Sequence, residues 1–298
     1  VLAAELEMDF LAVSFVRTGD DVIEARRLFE EAGGTGRIVA KVERVEAVDN
    51  IDSIVDAADV IMVARGDLGV EMGYAVLTGI QKKLIRKTRK KSKVVITATQ
   101  MMESMIQNPI PTRAEVSDVS NAVMDGTDAV MLSGETAVGK YPVKSIQEMS
   151  AVCTGAEQFP LPEGMTRHRI GDYFARIDEA IAMAVMYTAN HLDVQAIIAL
   201  TESGSTALWM SRIRSDIPIY AFTSHLATSR RVTMYRGVSP IFFDIKATHS
   251  RELYQAVFDT MLEAKLVEVG DRVIFTKGDL DGVSGGTNAM KIVEVTAS

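Results

Sequence analysis

Short continuous apolar runs alternate along this chain with segments whose apolar residues return every three or four positions. In the first half the runs occupy residues 10–15, 38–42, 60–64, 94–98 and 129–132, and helical patterns occupy 19–32 and 48–57 between them. A strand buried on both faces of a parallel sheet is apolar throughout rather than alternating. Strand and helix in alternation are the mark of such a sheet. Five strands at intervals of roughly 30 residues suit part of a (β/α)8 barrel, so the expected fold class is α/β, with a partial barrel first.

The pattern breaks at Phe159-Pro160-Leu161-Pro162-Glu163-Gly164, where two prolines and a glycine mark a linker. The expected division is a barrel portion over 1–158, a linker over 159–175 and a second domain over 176–298. In that domain Ile177, Ile181, Val185 and Leu192 share one helix face. Strands are expected at 196–200, 219–222, 241–243, 272–276 and 292–295, with helices between the first four, the pattern of a smaller three-layer α/β domain.

Composition narrows the partners. The net charge of −8 over 298 residues argues against nucleic acid, while leaving room for a local basic site that takes an anionic metabolite. Cys153 is the one cysteine, so no intrachain disulfide forms, which fits a reducing cytoplasm. No apolar run reaches the roughly 18 residues of a membrane span, so no membrane partner is expected. Val1-Leu2-Ala3-Ala4-Glu5-Leu6 reads as a helix already under way with no cap before it, so the chain is expected to be a fragment. The basic cluster between Lys82 and Lys93 fits the solvated face of a surface helix better than an anionic partner. Met101, Met102 and Met105 read as core filling. His168, His191, His225 and His249 lack metal-ligand spacing and read as solvated or structural.

Four successive runs end in polar groups: Lys41 and Glu43; Arg65, Gly66 and Asp67; Thr99 and Gln100; Ser133, Gly134 and Glu135. Neighbouring strands lie about 4.8 Å apart, so equivalent ends converge on one mouth, where barrel active sites lie. Glu43 and Asp67 offer two hard carboxylates, a donor set for Mg²⁺ or Mn²⁺ completed by substrate oxygens and water. Lys41 and Glu43, two residues apart, project to one side of a strand. They read either as a cation beside a metal, facing charge that develops on a phosphoryl group or enolate, or as a buried ion pair. Gly66 and Asp67 open a short helix whose free N–H groups suit a carboxylate or phosphate. No Cys or His nucleophile–base dyad and no Walker-type loop is present.

The chain resembles the pyruvate kinase family, most closely its bacterial branch. The resemblance lies in Lys41-Val42-Glu43, the segment 62–71, Ile96-Thr97-Ala98-Thr99-Gln100-Met101-Met102-Glu103-Ser104-Met105, Pro111-Thr112-Arg113-Ala114-Glu115 and the segment 125–136. It implies about the last five strands of a TIM barrel followed by a regulatory α/β domain. It also implies that phosphoenolpyruvate gives its phosphoryl group to ADP, yielding ATP and an enolate that is protonated to pyruvate. Under it, Glu43 and Asp67 hold the divalent metal and Lys41 stabilises charge on the phosphoryl group and the enolate. The amides of Gly66 and Asp67 bind the substrate carboxylate, and Thr99 stands in a water relay near the face where the enolate is protonated. The resemblance further implies a cytoplasmic homotetramer and a K⁺ ion. The K⁺ ligands, the first three strands, a substrate-binding arginine and a lid domain belong to a part of the family that this chain does not include, so the chain alone is expected to be inactive. Arg44 stands where the family has Asn, and Gly73-Tyr74-Ala75 where it often has Asp-Pro.

In the second domain Thr201, Ser203, Gly204, Ser205 and Thr206 precede a helix expected at 207–213. They read either as a helix cap or, by the resemblance, as the site of a phosphorylated allosteric effector, with the glycine-rich segment 278–288 closing over it. Two further readings share these residues: a metal-dependent enolate lyase or aldolase on a barrel, and a non-catalytic sugar-phosphate-binding module.

Overall fold

The computed structural model describes residues 1–159, 173–245, 252–278 and 285–297. The chain divides into two units, Val1–Leu161 and Pro162–Ser298. Most of the expected linker, His168, His249 and the middle of segment 278–288 lie outside the described residues.

In the first unit, elements follow in the order α1 (Leu2–Glu5), β1 (Phe10–Val13), α2 (Gly19–Glu31), β2 (Arg37–Val42), α3 (Val45–Asp49), α4 (Ile51–Ala57), β3 (Val60–Ala64), α5 (Arg65–Met72) and α6 (Tyr74–Lys90). Then come β4 (Val94–Ala98), a 3₁₀ turn (Glu103–Ile106), α7 (Arg113–Asp125), β5 (Ala129–Met131), α8 (Gly134–Ala137) and α9 (Pro142–Glu157). The five strands form one parallel sheet in sequential order, as successive barrel staves do. Every residue of β3 and β4 is buried, which is why their sequences are apolar without alternation. Met101, Met102 and Met105 are buried in a cluster with Val119, Ala122 and Met149. The helix expected at 48–57 starts earlier and is interrupted at Asn50, whose side chain leaves the helix to donate to Arg17 O at 3.1 Å. The basic residues of α6 face carboxylates of neighbouring helices: Lys82 meets Asp125 at 2.5 Å and Lys87 meets Asp52 at 2.6 Å.

The second unit runs α10 (Ile177–Ala189), β6 (Ala196–Leu200), α11 (Ser205–Ser211), β7 (Ile219–Thr223), α12 (Leu226–Val232), β8 (Val238–Phe242), α13 (Leu253–Glu263), β9 (Arg272–Gly278) and β10 (Thr287–Glu294). Its sheet has the order β10-β9-β6-β7-β8, with only β10 antiparallel. Leu253, Val257, Phe258 and Met261 of α13 pack in one cluster with Ala196, Ile198, Phe222 and Phe275 of the sheet. Ile197, Ala199, Ala221 and Ile274, which point to the other face, are buried too, so the central strands are covered on both faces. Strand β8 starts earlier than the expected 241–243 and contains Pro240, which an edge strand tolerates. Strand β10 starts at Thr287 rather than 292, with a register shift between Thr287 and Ala289. Among the described residues no helix is long and apolar enough to cross a membrane.

One device repeats at the beginning of the barrel strands. Asp59, the residue before β3, accepts the Ile38 amide of β2 at 2.9 Å, and its own amide donates to Ile38 O at 3.1 Å. Asp128, the residue before β5, accepts the Val95 amide of β4 at 2.9 Å, and its amide donates to Val95 O at 2.9 Å. Each carboxylate thereby pins one strand's register against its neighbour. Burial pushes the Asp59 carboxyl up, but the Ile38 amide and the Arg26 guanidinium outweigh it and hold the group below the usual aspartate range. A carboxyl depressed in the folded state stabilises the fold fully above its unfolded value, about pH 4, and loses that contribution as the pH falls through the folded value. Asp59→Asn is therefore expected to lower stability at pH 7 by about 1–3 kcal/mol. It should also flatten the loss of stability between pH 5 and 3, read by urea unfolding at the two pH extremes.

Candidate active site

The strand register makes the other ends level. Val42 pairs with Val63, Ala64 with Ala98, and Ala98 with Met131, so the residues that follow share one edge of the sheet. Glu43, just past β2, is 1% exposed. Its Oε1 meets Lys41 Nζ at 2.6 Å and its Oε2 accepts the Phe15 amide at 2.6 Å. Lys41 also donates to Ser14 Oγ at 2.9 Å and keeps a quarter of its side chain open to solvent. The carboxylate and the serine thus hold the partly exposed cation at the sheet edge. Asp67 lies in the first turn of α5, is exposed, and has no hydrogen-bond or ion-pair partner among the described residues. No group of three or more His, Cys, Asp or Glu side chains forms a ready metal cage among those residues. Of the two carboxylates, Glu43 follows β2 with both oxygens engaged, and Asp67 stands exposed in the turn after the neighbouring β3.

Beyond β4 the backbone is strained. Thr99 and Gln100 have φ of 66° and 53°, two consecutive left-handed residues without a glycine. Such backbone persists where its surroundings over-determine it. Arg65 is 5% exposed, and its guanidinium donates to both carbonyls, to Thr99 O at 2.8 Å and to Gln100 O at 2.9 Å. Glu135, 2% exposed, accepts the Met102 amide at 3.0 Å and the Ser133 amide at 2.8 Å. The Thr99 hydroxyl accepts the Gly66 amide at 2.7 Å. This amide, expected to be free for a substrate carboxylate, is therefore already held by Thr99. Arg65 and Glu135, which look like site residues in the sequence, are structural here. For Arg65 a signal was available: a charge directly after a fully apolar strand is buried with that strand and must find peptide groups or a counter-charge.

Two glycines in α5 differ in purpose. A Cβ on Gly69 would stand 2.7 Å from the Tyr74 ring, so a larger residue there requires that ring to move. A Cβ on Gly66 would meet only Thr99, at 3.6 and 3.7 Å, an ordinary contact. The fold does not need glycine at 66, whereas close approach of a ligand to the backbone would.

The segment Pro111-Thr112-Arg113-Ala114-Glu115 is a capping box that ties α7 to the turn after β4. Glu115 accepts the Thr112 amide at 2.7 Å, the Ser104 amide at 2.7 Å and the Ser104 hydroxyl at 2.5 Å. Burial pushes the Glu115 carboxyl up, but these donors outweigh it and leave it below the usual range.

In the second unit the helix after Thr201 begins at Ser205, two residues before the expected start. The loop is held by one internal bond and by groups from neighbouring elements. Thr201 Oγ1 accepts the Gly204 amide at 2.9 Å, and Thr206 Oγ1 bonds Thr287 Oγ1 at 2.7 Å. Glu202 pairs with His225, and Arg231 donates to Ser203 O at 3.3 Å. Ser203 Oγ is buried without a partner among the described residues. His191 stacks on Tyr187 with centroids 4.3 Å apart.

Comparison with known proteins identifies the family. The profile of the pyruvate kinase barrel domain matches residues 1–146, and that of the pyruvate kinase alpha/beta domain matches 179–293. Pyruvate kinase of Buchnera aphidicola subsp. Schizaphis graminum is 52% identical over 300 residues, covering 99% of this chain and 62% of its own. Pyruvate kinase II of Salmonella typhimurium is 52% identical over 297 residues, covering 98% of this chain and 62% of its own. The crystal structure of a pyruvate kinase from Cryptosporidium parvum superposes with a TM-score of 0.91 at 38% identity, over 98% of this chain and 60% of that one. The chain thus spans somewhat under two thirds of the length of these relatives. With both domain profiles matched in order and half of all residues shared with the bacterial relatives, it belongs to the pyruvate kinase family, bacterial type.

Proposed function

We propose that this chain carries the substrate-facing side of a pyruvate kinase active site, which moves the phosphoryl group of phosphoenolpyruvate to ADP and protonates the resulting enolate. The observation that supports it most is Asp67, without a partner among the described residues, in the turn after β3, the strand next to the one that carries the Lys41–Glu43 pair. Phosphoryl transfer asks a protein for position and charge rather than covalent chemistry. Lys41, aimed by Glu43 and Ser14, faces negative charge that grows on the phosphoryl oxygens and then on the enolate oxygen. Glu43 and Asp67 would hold Mg²⁺ or Mn²⁺, which when bound polarises substrate oxygens as a Lewis acid. The Gly66 and Asp67 amides face the substrate carboxylate, with the Gly66 amide exchanging Thr99 Oγ1 for it. Thr99 orients the water that delivers a proton to the enolate carbon. The family's K⁺ requirement, a homotetramer, a cytoplasmic location and a phosphorylated effector on Thr201, Ser203, Gly204, Ser205 and Thr206 complete the proposal. Neither the lyase nor the non-catalytic sugar-phosphate reading gains a supporting observation.

The chain alone is expected to form no pyruvate from phosphoenolpyruvate and ADP with Mg²⁺ and K⁺. Fused to the part of the Salmonella relative that it does not cover, it should turn over at roughly 1–1,000 per second, an ordinary enzyme rate. In the fusion, Lys41→Met should lower kcat at least about 1,000-fold. Such a rate from the 298-residue chain alone would overturn this division of labour. Gly66→Ala separates fold from function: thermal unfolding should be unchanged or slightly higher, since alanine favours helix by about 1 kcal/mol over glycine. The fusion's KM for phosphoenolpyruvate should rise about tenfold or more. A stability loss with an unchanged KM would contradict the role given to that glycine.

A further inference from the structure

The strained turn at Thr99 and Gln100 is held by a guanidinium that is itself held by a residue outside the strand ends. Arg65 Nε donates to Thr99 O at 3.1 Å, and Nη2 donates to Thr99 O at 2.8 Å and Gln100 O at 2.9 Å. Nη1, the remaining nitrogen, donates to Asp118 Oδ2 at 2.5 Å. A guanidinium is a rigid plane, so an anchor on one nitrogen sets the direction of the others. Asp118 lies on α7, 53 residues along the chain from Arg65, with 40% of its side chain exposed. The other acceptor near Nη1 is Gln81 Oε1 at 3.4 Å, a longer and neutral contact. What the plane determines is the place of the Thr99 hydroxyl, and through it the Gly66 amide.

We propose that Asp118 is a positioning residue: acting through Arg65, it fixes the left-handed turn at Thr99 and Gln100 and so the two groups of Thr99 and Gly66 that face substrate. The proposal rests on the pyruvate kinase reading of those two groups. Asp118 touches no reacting atom. Its carboxylate orients the buried cation and keeps it charge-paired, which a neutral side chain does only in part.

The test has two arms. In the 298-residue chain, hydrogen exchange of the Gly66 amide should rise about tenfold or more in Asp118→Ala, while the β3 amides Val60–Ala64 keep their protection. In the fusion enzyme, Asp118→Ala should lower kcat about 10- to 100-fold with the KM for ADP unchanged, and Asp118→Asn should recover part of it. Arg65→Lys should be impaired similarly, and adding Asp118→Ala to it should do little more. Unchanged Gly66 exchange, or a uniform loosening of all amides with no recovery in Asp118→Asn, would overturn the positioning role. A wild-type fusion that forms no pyruvate would instead overturn the functional reading, and the Gly66 amide would still decide whether Asp118 positions the turn.

Discussion

Parallel strands share a mouth only when their ends are level, and everything functional in the first unit depends on that register. A slip of one residue would turn every side chain of a strand to the opposite face. Asp59 and Asp128 hold the level from the start of the strands, each taking the amide of a neighbouring strand while its own amide returns the bond. With β2 pinned to β3 and β4 to β5 there, Glu43 and Arg65 emerge on neighbouring strands at the far ends, and the pairing of Ala64 with Ala98 sets Thr99 level with them. The site is thus prepared by residues at the opposite end of the sheet that touch none of its chemistry.

At the mouth, charged groups divide into two kinds by burial. Arg65 and Glu135 are spent on peptide groups of the turn after β4 and hold a backbone that non-glycine residues avoid. Lys41 stays partly open to solvent, bonded to Glu43 and Ser14, and Asp67 is exposed without a partner among the described residues. Strain sits at the end of β4, and open charge at the ends of β2 and β3. Such a division suits phosphoryl transfer, which needs charge held in place before substrate arrives.

Strands β3 and β4 were legible to the residue because burial on both faces leaves an uninterrupted apolar run. The site motif was legible for the same reason, since polar residues that follow such runs stand out. What the sequence concealed is how those residues spend their hydrogen bonds. Arg65 and Asp67 look alike as charges after β3, yet one is buried and the other exposed, because the helical turn of α5 places them on different sides. The engaged Gly66 amide depends on the left-handed turn at Thr99, which no local residue preference announces. Asn50 divides a helix by a side-chain bond to a distant carbonyl, and β10 extends through Thr287 by pairing with β9, both tertiary effects that override local pattern. The capping box at Thr112 and Glu115 shows that part of a family signature is helix architecture rather than chemistry.

The central claim is that Glu43 and Asp67 hold a hard divalent cation beside Lys41. Mn²⁺ titration of this chain, followed by water-proton relaxation with and without phosphoenolpyruvate, tests it most directly. One Mn²⁺ site is expected that tightens with phosphoenolpyruvate and is lost in both Asp67→Asn and Glu43→Gln. Binding of equal strength in wild type and Asp67→Asn would contradict it.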